Sequence, residues 1–254
     1  ALTLAAAAVA ALAVATRRGL RAVAFGFAMG SGVMSMVLVP VSGDPFPFAA
    51  ALVVIGLAAL WHGYLSGGSL LARLMAGIAD VWILMLLVFR LLNPGPGPMS
   101  LPASQLVTVQ LGLVAAYLGS FAVRALLKGR EITNAEIVQS VAAIAVGFGG
   151  AVAVTGASKS SFLPLGVSGL VFGVANYGVS FAFVARSAGK GRNFHFSSGM
   201  ALLFILIALP LLVTGPGLGA ALSACAIVAA LLGASAQRAT LSLHGSVYAV
   251  GAMI

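Results

Sequence analysis

Apolar runs of about 20 residues, parted by short polar or Gly/Pro-rich breaks, follow one another along the whole chain. A helix rises 1.5 Å per residue, so each run has roughly the length needed to cross a bilayer. The breaks define about ten candidate spans. Ala1–Thr16 is the first, and Leu20–Val41 the second. Ser42-Gly43-Asp44-Pro45 ends the second, and Phe46–Tyr64 is the third. Ser66-Gly67-Gly68 precedes the fourth, Ser69–Leu92. Asn93-Pro94-Gly95-Pro96-Gly97-Pro98 cannot continue a helix and reads as a stiff external loop. The fifth span is Ser104–Leu127. The sixth, Thr133–Thr155, opens on Thr133-Asn134-Ala135-Glu136, a capping-box pattern. Phe162–Arg186, Phe194–Thr214, Leu218–Gln237 and Ala239–Ile254 complete the set. The expected fold is all-α: a polytopic transmembrane helical bundle forming a single integral-membrane domain over residues 1–254. The runs are continuous, not the alternating segments of about ten residues that a barrel needs.

Composition agrees. The 254 residues are 61% hydrophobic and 7% charged, with mean hydropathy +1.16. Soluble domains carry about 25% charged residues, which excludes that class. The formal charge of +9 reads as topology and not as a nucleic-acid surface, because basic residues cluster at the breaks. Eleven of the thirteen follow odd-numbered spans: Arg17, Arg18, Arg21, Arg73, Arg124, Lys128, Arg130, Arg186, Lys190, Arg192 and Arg238. Only Arg90 and Lys159 follow even-numbered ones. Positive loops mark the cytoplasmic side, so the N-terminus as given is expected outside. The expected partners are the lipid bilayer and other membrane subunits, with no nucleic acid, and the expected setting is a bacterial cytoplasmic membrane. The chain starts on Ala1, and its first charges follow its first apolar run, the reverse of a signal peptide. It ends within an apolar run and reads as a fragment at one or both ends. Five spans in each half suggest an inverted repeat, 1–127 and 133–254, although no residues match convincingly between the halves.

Asp80 lies near the middle of the fourth span, where a charge costs at least about 3 kcal/mol on insertion scales. Ala76 and Gly77 share its face and would let a neighbouring helix approach closely. Asp80 is therefore expected to face protein, with Asn176 as first candidate partner and Gln110 as second. It serves either as a proton- or cation-responsive group on a solute path or as a structural acid. Gly166, Gly169 and Gly173, with Asn176, Tyr177 and Ser180, share one face of the seventh span. Close helix packing is the simpler reading, and a groove for a polar group the other. Ser140, Gly147 and Gly150 repeat the theme in the sixth span, where Glu136 is expected to cap the helix.

His62, His195 and His244 lie on separate spans, and no metal-ligand spacing occurs. His62 and His195 are expected at the membrane surface; His244, about one turn inside the tenth span, joins Asp80, Asn176 and Gln110 as a candidate for a polar transport site, with a satisfied packing histidine as the simpler reading. Met29, Met34 and Met36 suit apolar packing, and Cys225 lies inside an apolar run. Gly166-Val167-Ser168-Gly169 resembles the GxSG of rhomboid-type intramembrane proteases. That chemistry needs a histidine base on a later helix. The ninth span, where the resemblance would place it, has none, so a catalytic role is not expected. No phosphate loop, paired carboxylates or CxxC motif names a cofactor. The expectation is a transporter or channel-like protein for a small solute or lipid-like molecule using a midplane carboxylate, and the alternative is a non-catalytic subunit or scaffold of a larger membrane complex.

Overall fold

Where the apolar runs lie, the backbone is helical. A bilayer offers no water to backbone N–H and C=O groups, so each segment must satisfy them internally. The computed structural model describes residues 1–68, 70–93, 95, 101–186 and 191–253. Ser69 at the head of the expected fourth span, residues 94 and 96–100 of the Pro/Gly loop, residues 187–190 and residue 254 lie outside them. The helices are α1 (Leu2–Arg18), α2 (Arg21–Val37), α3 (Val39–Ser42), α4 (Phe46–Ser66), α5 (Leu70–Leu92) and α6 (Ala103–Lys128). They continue as α7 (Asn134–Ala143), a π-helical turn (Ile144–Gly149), α8 (Gly150–Ala157), α9 (Leu163–Arg186), α10 (Gly191–Leu212), α11 (Pro216–Ser235) and α12 (Ala239–Gly251). No strand occurs among the described residues.

Seven helical stretches among the described residues have both the length and the hydropathy to cross a membrane. They are α4, α5, α6, Asn134–Ala157, Leu163–Phe183, α10 and α11. These mark a multi-pass membrane protein. The remaining three expected spans are helical but shorter: α1 and α2 have 17 residues each and α12 has 13. The second span departs from expectation for a local reason. It breaks after Val37, and Pro40 sits in the first turn of the short α3. Proline has no N–H to give to the preceding turn and its ring crowds that turn's carbonyl, so one long helix becomes two. Gly67 closes α4 at φ 77°, a left-handed cap that glycine adopts without steric cost, and its N–H bonds to Gly63 O.

The chain divides into two compact units. The first comprises Ala1–Val123 with Thr133–Ser160 and is built around α5. That helix packs against α2, α4, α7, the π turn and α8. Part of its core is small: Ala8, Ala15, Ala24, Ala28 and Ala59 pack with Leu12, Ile55, Leu71 and Met75. Alanines let backbones approach closely, and close approach is what drives association once lipid has removed the hydrophobic difference.

The second unit comprises Arg124–Ile132 and Ser161–Ile254. α9 packs along α10, and α11 along α12. Asn193, 2% exposed, clamps the incoming segment: its Nδ2 donates to Arg130 O at 3.0 Å, and Ile132 N donates to its Oδ1 at 2.7 Å.

Candidate functional site

α7 starts where the sequence says it should. Glu136 N donates to Thr133 Oγ1 at 3.3 Å, and Thr133 N donates back to Glu136 Oε2 at 2.7 Å. The capping box is thus complete, as the Thr133–Glu136 spacing implied. Tyr64 near the end of α4 donates its hydroxyl to Glu136 Oε1 at 2.7 Å. That bond fixes the start of α7 against α4, and one turn further on α7 presents Gln139.

Gln139 Nε2 donates to Asp80 Oδ2 at 2.7 Å, the length of a charge-assisted bond. Asp80 is 7% exposed, so it faces protein as expected. Its partner differs from both candidates. Asn176 Nδ2 donates to Phe172 O within its own helix at 2.8 Å. Gln110 Nε2 donates to Val146 O at 3.3 Å. Depth along a helix does not order the helices in space, and α7 happens to be a neighbour of α5. Asp80 Oδ1 has no protein partner among the described residues.

Two further buried oxygens share that condition. The hydroxyl of Tyr117, a fully buried residue on α6, has no partner among the described residues, and neither has Gln110 Oε1. Gly56 on α4 makes room for the phenol. A Cβ there would stand 2.6 Å from Tyr117 Oη and 3.5 Å from Met75 O. Tyr117 therefore reaches the groove between α4 and α5 at Met75, five residues before Asp80. Gln110 lies two turns away along α6, against the π turn that interrupts α7 and α8. Such turns loosen the regular bond ladder and recur at functional sites. The first unit thus holds a buried carboxylate on α5, and a buried phenol that reaches the same helix at Met75, while the Gln110 carboxamide lies two turns further along α6 against the π turn.

The glycine readings divide. At Gly147 a Cβ would lie 2.5 Å from Val114 Cγ2 and 2.7 Å from Gln110 O, so this glycine is a true close contact. Gly166 packs on Leu212, and at Gly173 a Cβ would meet Ile205 Cγ1 at 2.6 Å. Gly169, between them on α9, is buried. Gly77 corrects its expectation: a Cβ there would meet nothing within 4 Å. The small residues on Asp80's helix that are buried beside it are Ala76 and Ala79.

The histidines have more specific surroundings than the sequence implied. His62 is buried, with Nδ1 2.6 Å from Thr16 Oγ1. Thr16 gives its one hydroxyl proton to Leu12 O at 2.6 Å, so the His62 Nδ1 proton completes the contact. His195 Nδ1 is 2.9 Å from Thr240 Oγ1. His244, 3% exposed, has Nδ1 3.0 Å from Tyr177 Oη, which is 3.3 Å from Tyr248 Oη. Ser168 of the GxSG stretch donates to Pro164 O of its own helix.

Gln139, Tyr117 and Gly56 carried a signal in the sequence only in part. Gln139 is a polar side chain inside an apolar run, three residues after the capping glutamate. Nothing local marks Tyr117 or Gly56 as neighbours. No protein-family model, curated protein or solved structure matches the chain.

Proposed function

We propose that this multi-pass membrane protein is a transporter or channel-like protein for a small solute or lipid-like molecule, with Asp80 as the group that the solute or its coupling ion meets. The observation that carries the reading is the half-satisfied carboxylate. One oxygen is held by Gln139 and the other has no protein partner among the described residues, and the Tyr117 hydroxyl, also buried, reaches the same helix at Met75. Leaving a buried polar group unpaired costs about 1–3 kcal/mol, more for a charged one, so its retention argues for use. Intramembrane carboxylates mark ion and solute pathways more often than they serve packing alone. In this reading the basic loops after the odd-numbered spans face the cytoplasm of a bacterial cell.

One observation favours the alternative of a non-catalytic subunit or scaffold. A cleft of about 510 Å³ beside Val23, Gly26, Phe27, Gly30 and Met34, and one of about 300 Å³ beside Cys225, are lined mainly by apolar side chains. A path for a hydrophilic solute needs polar walls.

Charge movement across proteoliposomes separates the two. Currents evoked by jumps in proton, sodium or small-solute concentration should appear with the wild-type chain, and with Asp80→Asn they should be lost or no longer vary with pH. A protein silent under every gradient, yet recovered from the native membrane in a stable complex, supports the subunit reading instead.

A further inference from the structure

We infer that the second unit holds a binding cleft for a single-chain amphiphile with a hydroxyl head. The cleft lies among α9, α10, α11 and α12 and has a volume of about 300 Å³, the lower end of the range for small-molecule sites. Its lining is aliphatic except for Cys225 and two tyrosines, Tyr177 and Tyr248. Val174 and Val228 line it and are also 64% and 55% exposed on the helix surface. An apolar chain can therefore enter sideways from the bilayer without crossing water.

The tyrosines supply the head group's partner. Tyr177 has one hydroxyl proton and two neighbours, His244 Nδ1 and Tyr248 Oη. If Tyr177 donates to His244, then Tyr248 must donate to Tyr177, and Tyr248 offers the cleft only lone pairs. If His244 Nδ1–H donates to Tyr177, then Tyr177 donates to Tyr248, whose own proton is unspent. The tautomer of His244 thus decides whether Tyr248 acts as acceptor or donor. A hydroxyl head can answer both arrangements. A carboxylate, acceptor only, can answer one. This inference does not depend on a role for Asp80.

Photolabelling tests it. The full-length protein, reconstituted in phosphatidylcholine, is irradiated with a diazirine-bearing long-chain fatty alcohol, and the adducts are mapped by mass spectrometry. The expected result is saturable labelling around Cys225, Val228 and Ala229, displaced by unlabelled fatty alcohol. Tyr248→Phe should raise the concentration for half-labelling about tenfold, the weight of one hydrogen bond. Ala224→Trp, placed at an exposed lining position, should abolish the labelling, and Val228→Trp serves should that variant not fold. Asp80→Asn should leave the labelling as it is, which separates this site from the transport reading. Labelling that does not saturate, that spreads evenly over the exposed faces of α11, or that survives the Trp and Phe variants identifies ordinary bilayer lipid and overturns the inference.

Discussion

Gln139 and Asp80, 59 positions apart in the chain, are joined by a 2.7 Å bond from carboxamide to carboxylate. The bond ties α7 to α5, and the other carboxylate oxygen has no protein partner among the described residues. Removing the donor should be harsher than removing both groups. Gln139→Leu should destabilise the protein by about 1–3 kcal/mol or more, because it strands a buried acid. Adding Asp80→Leu to it should recover much of that loss. Thermal unfolding in detergent of the two single variants and the double variant measures the coupling. Effects that simply add would mean that the pair is not coupled.

The glycine contacts predict an ordered series. Gly147→Leu and Gly173→Leu push side chains into a neighbouring helix and should each cost about 1–3 kcal/mol. Gly77→Leu, at an open position, should be close to neutral. Unfolding midpoints of the three proteins check the order, and equal losses at all three would contradict the packing described.

Asn193 holds residues 130 and 132 to the start of α10. Asn193→Ala leaves the Ile132 amide and the Arg130 carbonyl without that partner, at about 1–3 kcal/mol. Hydrogen exchange at Ile132 should accelerate, while amides in the middle of α10 stay protected. Unchanged exchange at Ile132 would show that the clamp carries no load.

Much of the helical layout was legible because it rests on local rules. The apolar runs set helix length, and the Thr133–Glu136 spacing announced a capping box that is present on both sides. Pro40 was a legible break that the hydrophobic run around it concealed. The burial of Asp80 followed from the cost of exposing a carboxylate to hydrocarbon. Its partner did not, because Gln110, Gln139 and Asn176 all lie inside apolar runs and sequence does not state which helices touch. Gly77 illustrates the same limit from the other side. A small residue on the right face permits close packing, but only a neighbouring helix makes use of it.

The arrangement of basic loops predicts sidedness. In a Cys225→Ser background, a cysteine at Lys128 should react only with reagent on the cytoplasmic side, and a cysteine at Ser160 only with reagent outside. A membrane-impermeant maleimide on intact cells reads both. Labelling of both positions from one side would break the alternation that the charge pattern implies.

The most direct test of the Asp80 account is charge movement through the reconstituted protein as a function of pH, compared between wild type and Asp80→Asn. The asparagine keeps the shape of the side chain and its contact with Gln139, so the variant should fold with an unfolding temperature near that of wild type. A pH-dependent current is expected in the wild-type protein, and in the variant a current that is lost or no longer varies with pH. Identical pH-dependent currents in two equally folded proteins would contradict it.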